Sequence, residues 1–285
     1  MSLNNLPKRE EYLRKKKIRK QLKFGVALFI FIIFIAGLSY ISHQQKIRIS
    51  KIELSGGILV TQSEVEYESL TYMYGSYLWL FPKNNSFLYP RSSLEEHLKE
   101  KFKRIDTIDI HKKDLQTLVI NITERKPIAT WCDFLPDDNT LMEDGVTHPV
   151  NCYFMDQNST IFAIAPQFSG DAYFKYYGLI ATSTPIGNQY MSSQEKFTDV
   201  VNFIEKVKLI KLKPSYLVAK ENDQFSLVLT SGTEIYFDMK EPLLKVAENL
   251  EVLLRIPELI GMTSNKVSVK YIDLRYGNKL FYKLR

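Results

Sequence analysis

Residues 119–132 read VINITERKPIATWC. With Leu118 before it, the stretch opens as an alternation: Leu118, Ile120 and Ile122 are apolar, with Val119, Asn121 and Thr123 at the alternate positions. A period of two argues for a strand with one buried face. The strand then runs into Glu124-Arg125-Lys126 and Pro127, and a second apolar run starts at once and ends in Trp131-Cys132. A charged triplet in such a place suggests a loop or a catalytic acid. Choosing between these readings requires knowing on which side of a membrane the segment lies.

The N-terminus addresses that question. The chain has 285 residues, room for two ordinary domains or one domain with appendages, and 45% of them are apolar, enough for a core. Its pI near 9.0 invites a nucleic-acid reading, but the charge is uneven. Residues 1–23 hold nine Lys or Arg against Glu10 and Glu11, a net of +7, so residues 24–285 carry −1 of the whole-chain +6. A near-neutral body argues against a broad phosphate-binding surface, and no nucleic-acid partner is expected.

Residues 24–41, FGVALFIFIIFIAGLSYI, contain no charge. Eighteen residues make about 27 Å of helix, close to the ~30 Å hydrocarbon core of a bilayer. A cation or an aspartate at the centre of a span would cost about 2.5–3.5 kcal/mol. An uncleaved signal anchor is the reading adopted; a cleaved signal peptide and a buried core helix are the alternatives. The positive-inside bias keeps residues 1–23 in the cytoplasm and puts residues 42–285 outside. The basic tail is expected to set topology and touch anionic lipid.

Residues 42–48 read as a polar spacer and Ile49–Leu54 as a short strand closed by Ser55-Gly56-Gly57. Thr61-Gln62-Ser63-Glu64 has the form of a capping box, predicting a helix with Val65, Leu70 and Met73 inward. A second capping pattern, Ser92-Ser93-Leu94-Glu95-Glu96, predicts another helix through Phe102. Two strands follow, with Ile105, Ile108 and Ile110 in the first and Leu115, Leu118, Ile120 and Ile122 in the second, joined by Lys112-Lys113-Asp114. The aromatic stretch Tyr72–Leu80 is expected to pack beneath the long connection, with contact to a membrane surface or a partner as the alternative.

This β-α-α-β-β order after a single span resembles a POTRA domain placed behind a signal anchor. The phrase T-L-V-I-N-I-T-E-R-K-P-I-A-T-W resembles the end of that domain in the FtsQ/DivIB family of bacterial cell-division proteins. The spacing Glu124-Arg125…Pro127…Ala129…Trp131 matches the family phrase; the proline that opens it is absent from Asp114–Leu118. Asn151–Phe162 is similar to the family's y-x-D-x-x-G-x-x-F hairpin, with Ser159 where glycine is usual. Tyr271-Ile272-Asp273-Leu274-Arg275-Tyr276 resembles its terminal I-D-L-R-Y.

The rest of the chain reads as a helix over 192–211, with Phe197, Val200, Val201, Ile204, Val207 and Leu209 inward. Three strands follow at Ser215–Lys220, Phe225–Thr230 and Glu234–Asp238. A helix over Pro242–Ile256 comes next, with Leu243, Val246, Leu250, Leu253 and Leu254 inward. The last strands are Val267–Leu274 and Lys279–Leu284, joined by Arg275-Tyr276-Gly277-Asn278.

The expected class is therefore α+β: a transmembrane helix, a small POTRA domain, and a larger mixed domain with a mostly antiparallel sheet. The expected boundaries are a tail at 1–23, a span at 24–41, a spacer at 42–48, a POTRA domain at 49–126 and an FtsQ-type β-domain at 127–285. VINITERKPIATWC becomes a joint between the two domains. Glu124, Arg125 and Lys126 lie at an exposed seam, with Glu124 paired to Arg125 or to a neighbour across the joint. Pro127 ends one ladder, and Trp131 begins the next domain.

Reactive clusters are scarce. His43, His97, His111 and His148 are scattered, and there is no Cys/His cluster, P-loop, G-x-S-x-G or G-x-G-x-x-G. No cofactor or metal is expected. Asp137-Asp138 and Glu143-Asp144 read as solvated loop pairs, and no signature selects a Ser/Lys dyad. Cys132 and Cys152, on the oxidising side, are expected to form a disulfide, with two buried free thiols as the alternative. The glycosylation-like patterns at Asn121 and Asn158 read as accidental.

The resemblance implies a non-catalytic divisome scaffold at the septum of the bacterial cytoplasmic membrane. It would bind single-span division proteins of the FtsB/DivIC and FtsL type by strand addition at its C-terminal edge, and septal peptidoglycan synthases as further partners. Arg275 and Tyr276 match the family motif for that contact; Lys279, Leu280, Phe281 and Tyr282 are their neighbours in the last strand. An anchored enzyme acting on cell-wall glycan or peptide is the alternative. A transport accessory with tandem POTRA units is a third reading, and only one such unit is found.

Overall fold

The computed structural model describes residues 6–133, 150–166, 168, 172–178, 180, 184–259, 262, 268–277 and 279–285. The acidic pairs at 137–138 and 143–144, His148 and Asn278 lie outside the described residues. Two compact units divide between Glu124 and Arg125.

The first unit begins with helix α1, Leu6–Ser42, which runs unbroken through the basic tail and the apolar segment. The stretch Glu11–Ser42 is long and apolar enough to cross a membrane, and its apolar window is not buried within the protein. Strand β1 (Lys51–Ser55) follows, then α2 (Gln62–Tyr72). The capping box forms: Thr61 accepts from the Glu64 N–H, and the Glu64 carboxylate accepts from the Thr61 N–H at 3.1 Å. A short hairpin comes next, β2 (Ser76–Tyr77) and β3 (Phe81–Pro82), then α3 (Arg91–Lys101), β4 (Ile105–Lys112) and β5 (Thr117–Glu124).

The three-stranded sheet has the order β1-β5-β4. β1 runs parallel to β5 (Ile52↔Leu118, Leu54↔Ile120), and β4 runs antiparallel to it (Ile108↔Ile122, Ile110↔Ile120). The period-two residues Leu118, Ile120 and Ile122 are buried with Ile52, Val65, Met73, Leu94, Leu98 and Ile110. Full burial of each such side chain contributes about 1.5–3 kcal/mol.

Three expectations for this unit are corrected. α3 is not capped by Ser92 or Ser93; its N-cap is Pro90, with no side-chain cap. Arg91 at its first position pairs with Glu95 and with Asp109 on β4, so the helix starts earlier than its serines suggest. Ile49 and Ser50 are not strand residues: the Ile49 N–H donates to Asn84 O at 2.7 Å, and pairing with β5 begins at Lys51. The aromatic stretch does not pack beneath a loop. Met73 is buried and Tyr72 stacks on His97, but Tyr74, Leu78 and Trp79 are exposed.

The second unit opens with β6 (Ala129–Cys132), β7 (Cys152–Met155), β8 (Ile161–Ala165), β9 (Phe174–Gly178) and α4 (Gln194–Leu209). It continues with β10 (Pro214–Lys220), β11 (Gln224–Leu229), β12 (Glu234–Asp238), α5 (Leu243–Leu253), β13 (Val269–Tyr276) and β14 (Lys279–Leu284). Among the described residues these strands form one sheet in the order β14-β13-β12-β11-β10-β9-β6-β7-β8. Three neighbouring pairs are parallel, β12 with β13 and β9 with both β6 and β10; the others are antiparallel.

Helices α4 and α5 touch each other and share one core with the sheet. Phe197, Val200, Phe203, Ile204 and Val207 face Phe225, Leu227, Ile235, Phe237 and Ile272, and the Phe203 and Phe237 rings lie 4.5 Å apart. Ser193 caps α4 by accepting from the Lys196 N–H. Leu209, expected inward, is exposed: it falls two positions past Val207, off the 3.6-residue face. Strand β13 runs on to Tyr276, so Arg275 and Tyr276 are strand residues rather than turn residues, and Gly277, at φ +62°, makes the turn.

Candidate interaction edge

β14 is the outermost strand of its sheet, with no strand beyond it among the described residues. Alternate N–H and C=O groups of such a strand point away from its neighbour and can pair with an incoming chain. The opposite edge is partly covered. Asn188 O accepts from the Ile161 N–H, Ile161 O accepts from the Gly187 N–H, and Thr160 bridges Gln189 at the start of β8.

The residues singled out from the sequence come together at β14. Its pairing with β13 joins Ile272 to Tyr282, Asp273 to Phe281 and Tyr276 to Lys279, with an extra residue on β13 between the last two pairs. Leu280 packs against the core. Phe281, Tyr282 and Leu284 remain substantially exposed, and the Tyr276 and Phe281 rings meet edge to face at 5.3 Å. Lys279, Phe281 and Lys283 alternate with Leu280, Tyr282 and Leu284, so one face of the edge carries an aromatic ring between two cations. Edge lysines discourage indiscriminate pairing with another sheet.

Arg275 is committed within the sheet. Its Nε and Nη2 donate to the two Asp273 oxygens at 2.8 and 2.5 Å, and Nη1 donates to Gln224 Oε1 at 2.8 Å. Its guanidinium also lies over Tyr236, 5.4 Å from the ring centroid. Burial would raise the Asp273 carboxyl, but the Arg275 fork outweighs it and holds the group below the usual carboxylate range. Burial and the neighbouring Glu234 push the Tyr236 hydroxyl up to about 12. Arg275 therefore fixes the shape of the edge, while Tyr276, Phe281 and Tyr282 supply its accessible surface.

The residues of the joint have more specific roles than an exposed seam. Glu124 is bound within the first unit. Its Oε1 accepts from three consecutive backbone N–H groups, Ile58, Leu59 and Val60, at 2.7, 2.7 and 2.9 Å. Successive amides of this kind form an anion-binding concavity. Burial acts to raise the Glu124 carboxyl, but these bonds and the charge of Arg104 together hold it below its ordinary value. Gly56, just ahead of the loop, has φ +86°, and a Cβ there would lie 2.1 Å from Ile122 O, so Ser55-Gly56-Gly57 needs glycine for both reasons.

Arg125 binds Asp156, which is buried. Asp156 Oδ1 also accepts from the Asn158 and Thr160 N–H groups at 2.8 Å, which closes the β7–β8 turn. Ser159 in that turn has φ +58°, a conformation that favours glycine. Lys126 is exposed and Pro127 half-buried; the Ile128 N–H donates to Met155 O as β6 begins. Trp131 is buried and donates Nε1–H to Gly178 O at 3.3 Å. Cys132 and Cys152 are register partners of β6 and β7 and are joined by a disulfide.

A cleft of about 490 Å³ lies between β9, β10 and α4, lined by Lys175, Tyr176, Glu205, Lys208 and Tyr216 among others. Glu205, the only carboxylate among the lining residues, is paired with Lys208 at 2.7 Å. No group of three or more His, Cys, Asp or Glu in a metal-binding arrangement occurs among the described residues.

The chain matches no protein-family model, and no curated protein matches it.

Proposed function

We propose that this protein is a non-catalytic scaffold of the bacterial divisome, anchored by α1 with residues 1–23 in the cytoplasm and both folded units outside. Its C-terminal edge would capture an extended segment of a single-span division protein by adding it as a strand beside β14. The observation that carries the proposal is the open edge itself: among the described residues no strand lies beyond β14, and Tyr276 at the end of β13 stands exposed with Phe281 and Tyr282 of β14. The E-R-x-P-x-A-x-W and I-D-L-R-Y phrases support the family reading, and partners of the FtsB/DivIC and FtsL type follow from it. Lys279 and Lys283 on either side of Phe281 favour a partner strand that places acidic residues around an apolar one.

The test has a cellular arm and a binding arm. Depletion in growing cells is expected to give filaments without septa; normal septation would sink the division role. Tyr276→Ala and Phe281→Asp are expected to leave the second unit folded, with a loss of about 0.5–1.5 kcal/mol from the Tyr276–Phe281 ring pair, while reducing co-purification of division partners at least tenfold, about 1.4 kcal/mol. Undiminished co-purification by both variants would remove the edge from the mechanism.

A further inference from the structure

Among the described residues outside α1, the tip of the β2–β3 hairpin carries the most exposed large apolar side chain. Trp79 is 94% exposed and Leu78 84%. These two residues form the hairpin tip, closed by the Leu80 N–H donating to Tyr77 O at 3.0 Å. Both hold positive φ, 48° and 61°, a conformation that hairpin turns normally give to Gly or Asn. Two bulky side chains are thus held in an unfavourable backbone conformation and pointed away from the protein's own core. Such an outlier asks for an external contact.

The position of the hairpin identifies that contact. Ser42, the last residue of α1, receives two hydrogen bonds from Asn85 Nδ2, to its O at 3.2 Å and its Oγ at 2.9 Å. One turn earlier, Ser39 Oγ donates to Leu80 O at 2.6 Å. Three helical residues span about 4.5 Å, so passing from Asn85 to Leu80 the chain descends along α1 toward its apolar middle. Ser39 already lies within the uncharged run that ends at Ile41. The tip lies beside this deeper contact.

Its composition agrees. No Asp or Glu occurs between Glu68 and Glu95; the charges there are Lys83 and Arg91. Tyr40 on α1 is exposed at the same level. Tryptophan and tyrosine favour the boundary between lipid headgroups and acyl chains, and lysine at such a boundary meets lipid phosphate.

We propose that the β2–β3 hairpin is a second membrane attachment, inserting Leu78 and Trp79 into the outer leaflet beside α1. It rests on the reading of α1 as a membrane span. Two points of entry, one helix and one hairpin tip, fix the tilt of the first unit on the bilayer, which a lone helix followed by a spacer would leave free.

The chain contains two tryptophans, and Trp131 is buried. The full chain is reconstituted in phosphatidylcholine/phosphatidylglycerol vesicles containing phosphatidylcholine brominated on its acyl chains near the carbonyl. The wild type is expected to lose about half of its emission, because one of its two indoles reports from the lipid. Trp79→Phe is expected to lose far less while floating with the vesicles equally well. Equal quenching of the two proteins, both floating, overturns the proposal, and transfer of Trp79 to a protein partner instead of lipid does the same. Failure of both to float would overturn the spanning role of α1 and the hairpin insertion with it, a result distinguishable by the absence of protein from the vesicle fraction.

Discussion

Replacing Glu124 tests the claim that one carboxylate organises the entrance to α2. In the wild type it accepts from the N–H groups of Ile58, Leu59 and Val60, the last of which belongs to a buried residue. A net hydrogen bond to a charged group contributes about 1.5–3 kcal/mol. Ile58 and Leu59 are exposed, so water can take over their amides when the carboxylate is gone; Val60 is less able to exchange partners. Glu124→Ala should therefore cost about 2 kcal/mol rather than three full bonds. Glu124→Gln keeps an oxygen acceptor and loses the charge, so about half of that is expected. For a unit of this size, 2 kcal/mol lowers the melting temperature by roughly 8–16 °C. The pH dependence has a definite sign. The folded group titrates below its ordinary value, so its contribution is complete above the unfolded carboxyl pKa of about 4.3 and is lost as pH falls through the lower folded value. The assay is hydrogen exchange of the full chain in detergent micelles, followed at the amides of residues 58–60, with thermal unfolding alongside. Unchanged protection of these three amides and an unchanged melting temperature in Glu124→Ala would refute the reasoning.

Three further outcomes are expected. Reducing the Cys132–Cys152 bridge, or replacing both cysteines by serine, should destabilise the second unit by about 3 kcal/mol in the chain-entropy model, seen as a lower melting temperature under reductant; identical curves would count against it. Arg125→Ala strips the buried Asp156 of its cation and should cost about 3–5 kcal/mol, with a smaller loss for Arg125→Lys; a mild effect from alanine would mean that solvent reaches Asp156 freely. Gly56→Ala combines a left-handed φ with a collision at Ile122 O and should cost ~2 kcal/mol or more, whereas a neutral result would show that the loop can shift away from β5.

What could be read in advance was what local pattern controls. The alternation Leu118, Ile120, Ile122 gave the inner face of β5, Thr61-x-x-Glu64 gave the cap of α2, and the uncharged run gave the long helix. β9 escaped because Tyr176 and Tyr177 are both buried, so no period of two marks it. The β2–β3 hairpin escaped because its turn uses Leu and Trp where Asn-Gly would have announced it. Glu124 escaped for a different reason. Its partners stand 64–66 positions away, and no local pattern carries a contact of that range. Arg275 has the same difficulty: its attachment to Gln224, 51 positions back, ties it into the sheet, and no local pattern carries that contact.

The strand order has a consequence for how the sheet is made. From β10 to β14 each new strand is laid beside the one made before it, as in chain growth by monomer addition. Each of β10, β11, β12 and β13 thus has a flank closed by the strand that follows it in the chain, and among the described residues the flank of β14 is left open at that end of the sheet. In the proposed capture, a partner strand would take the next position in the same series.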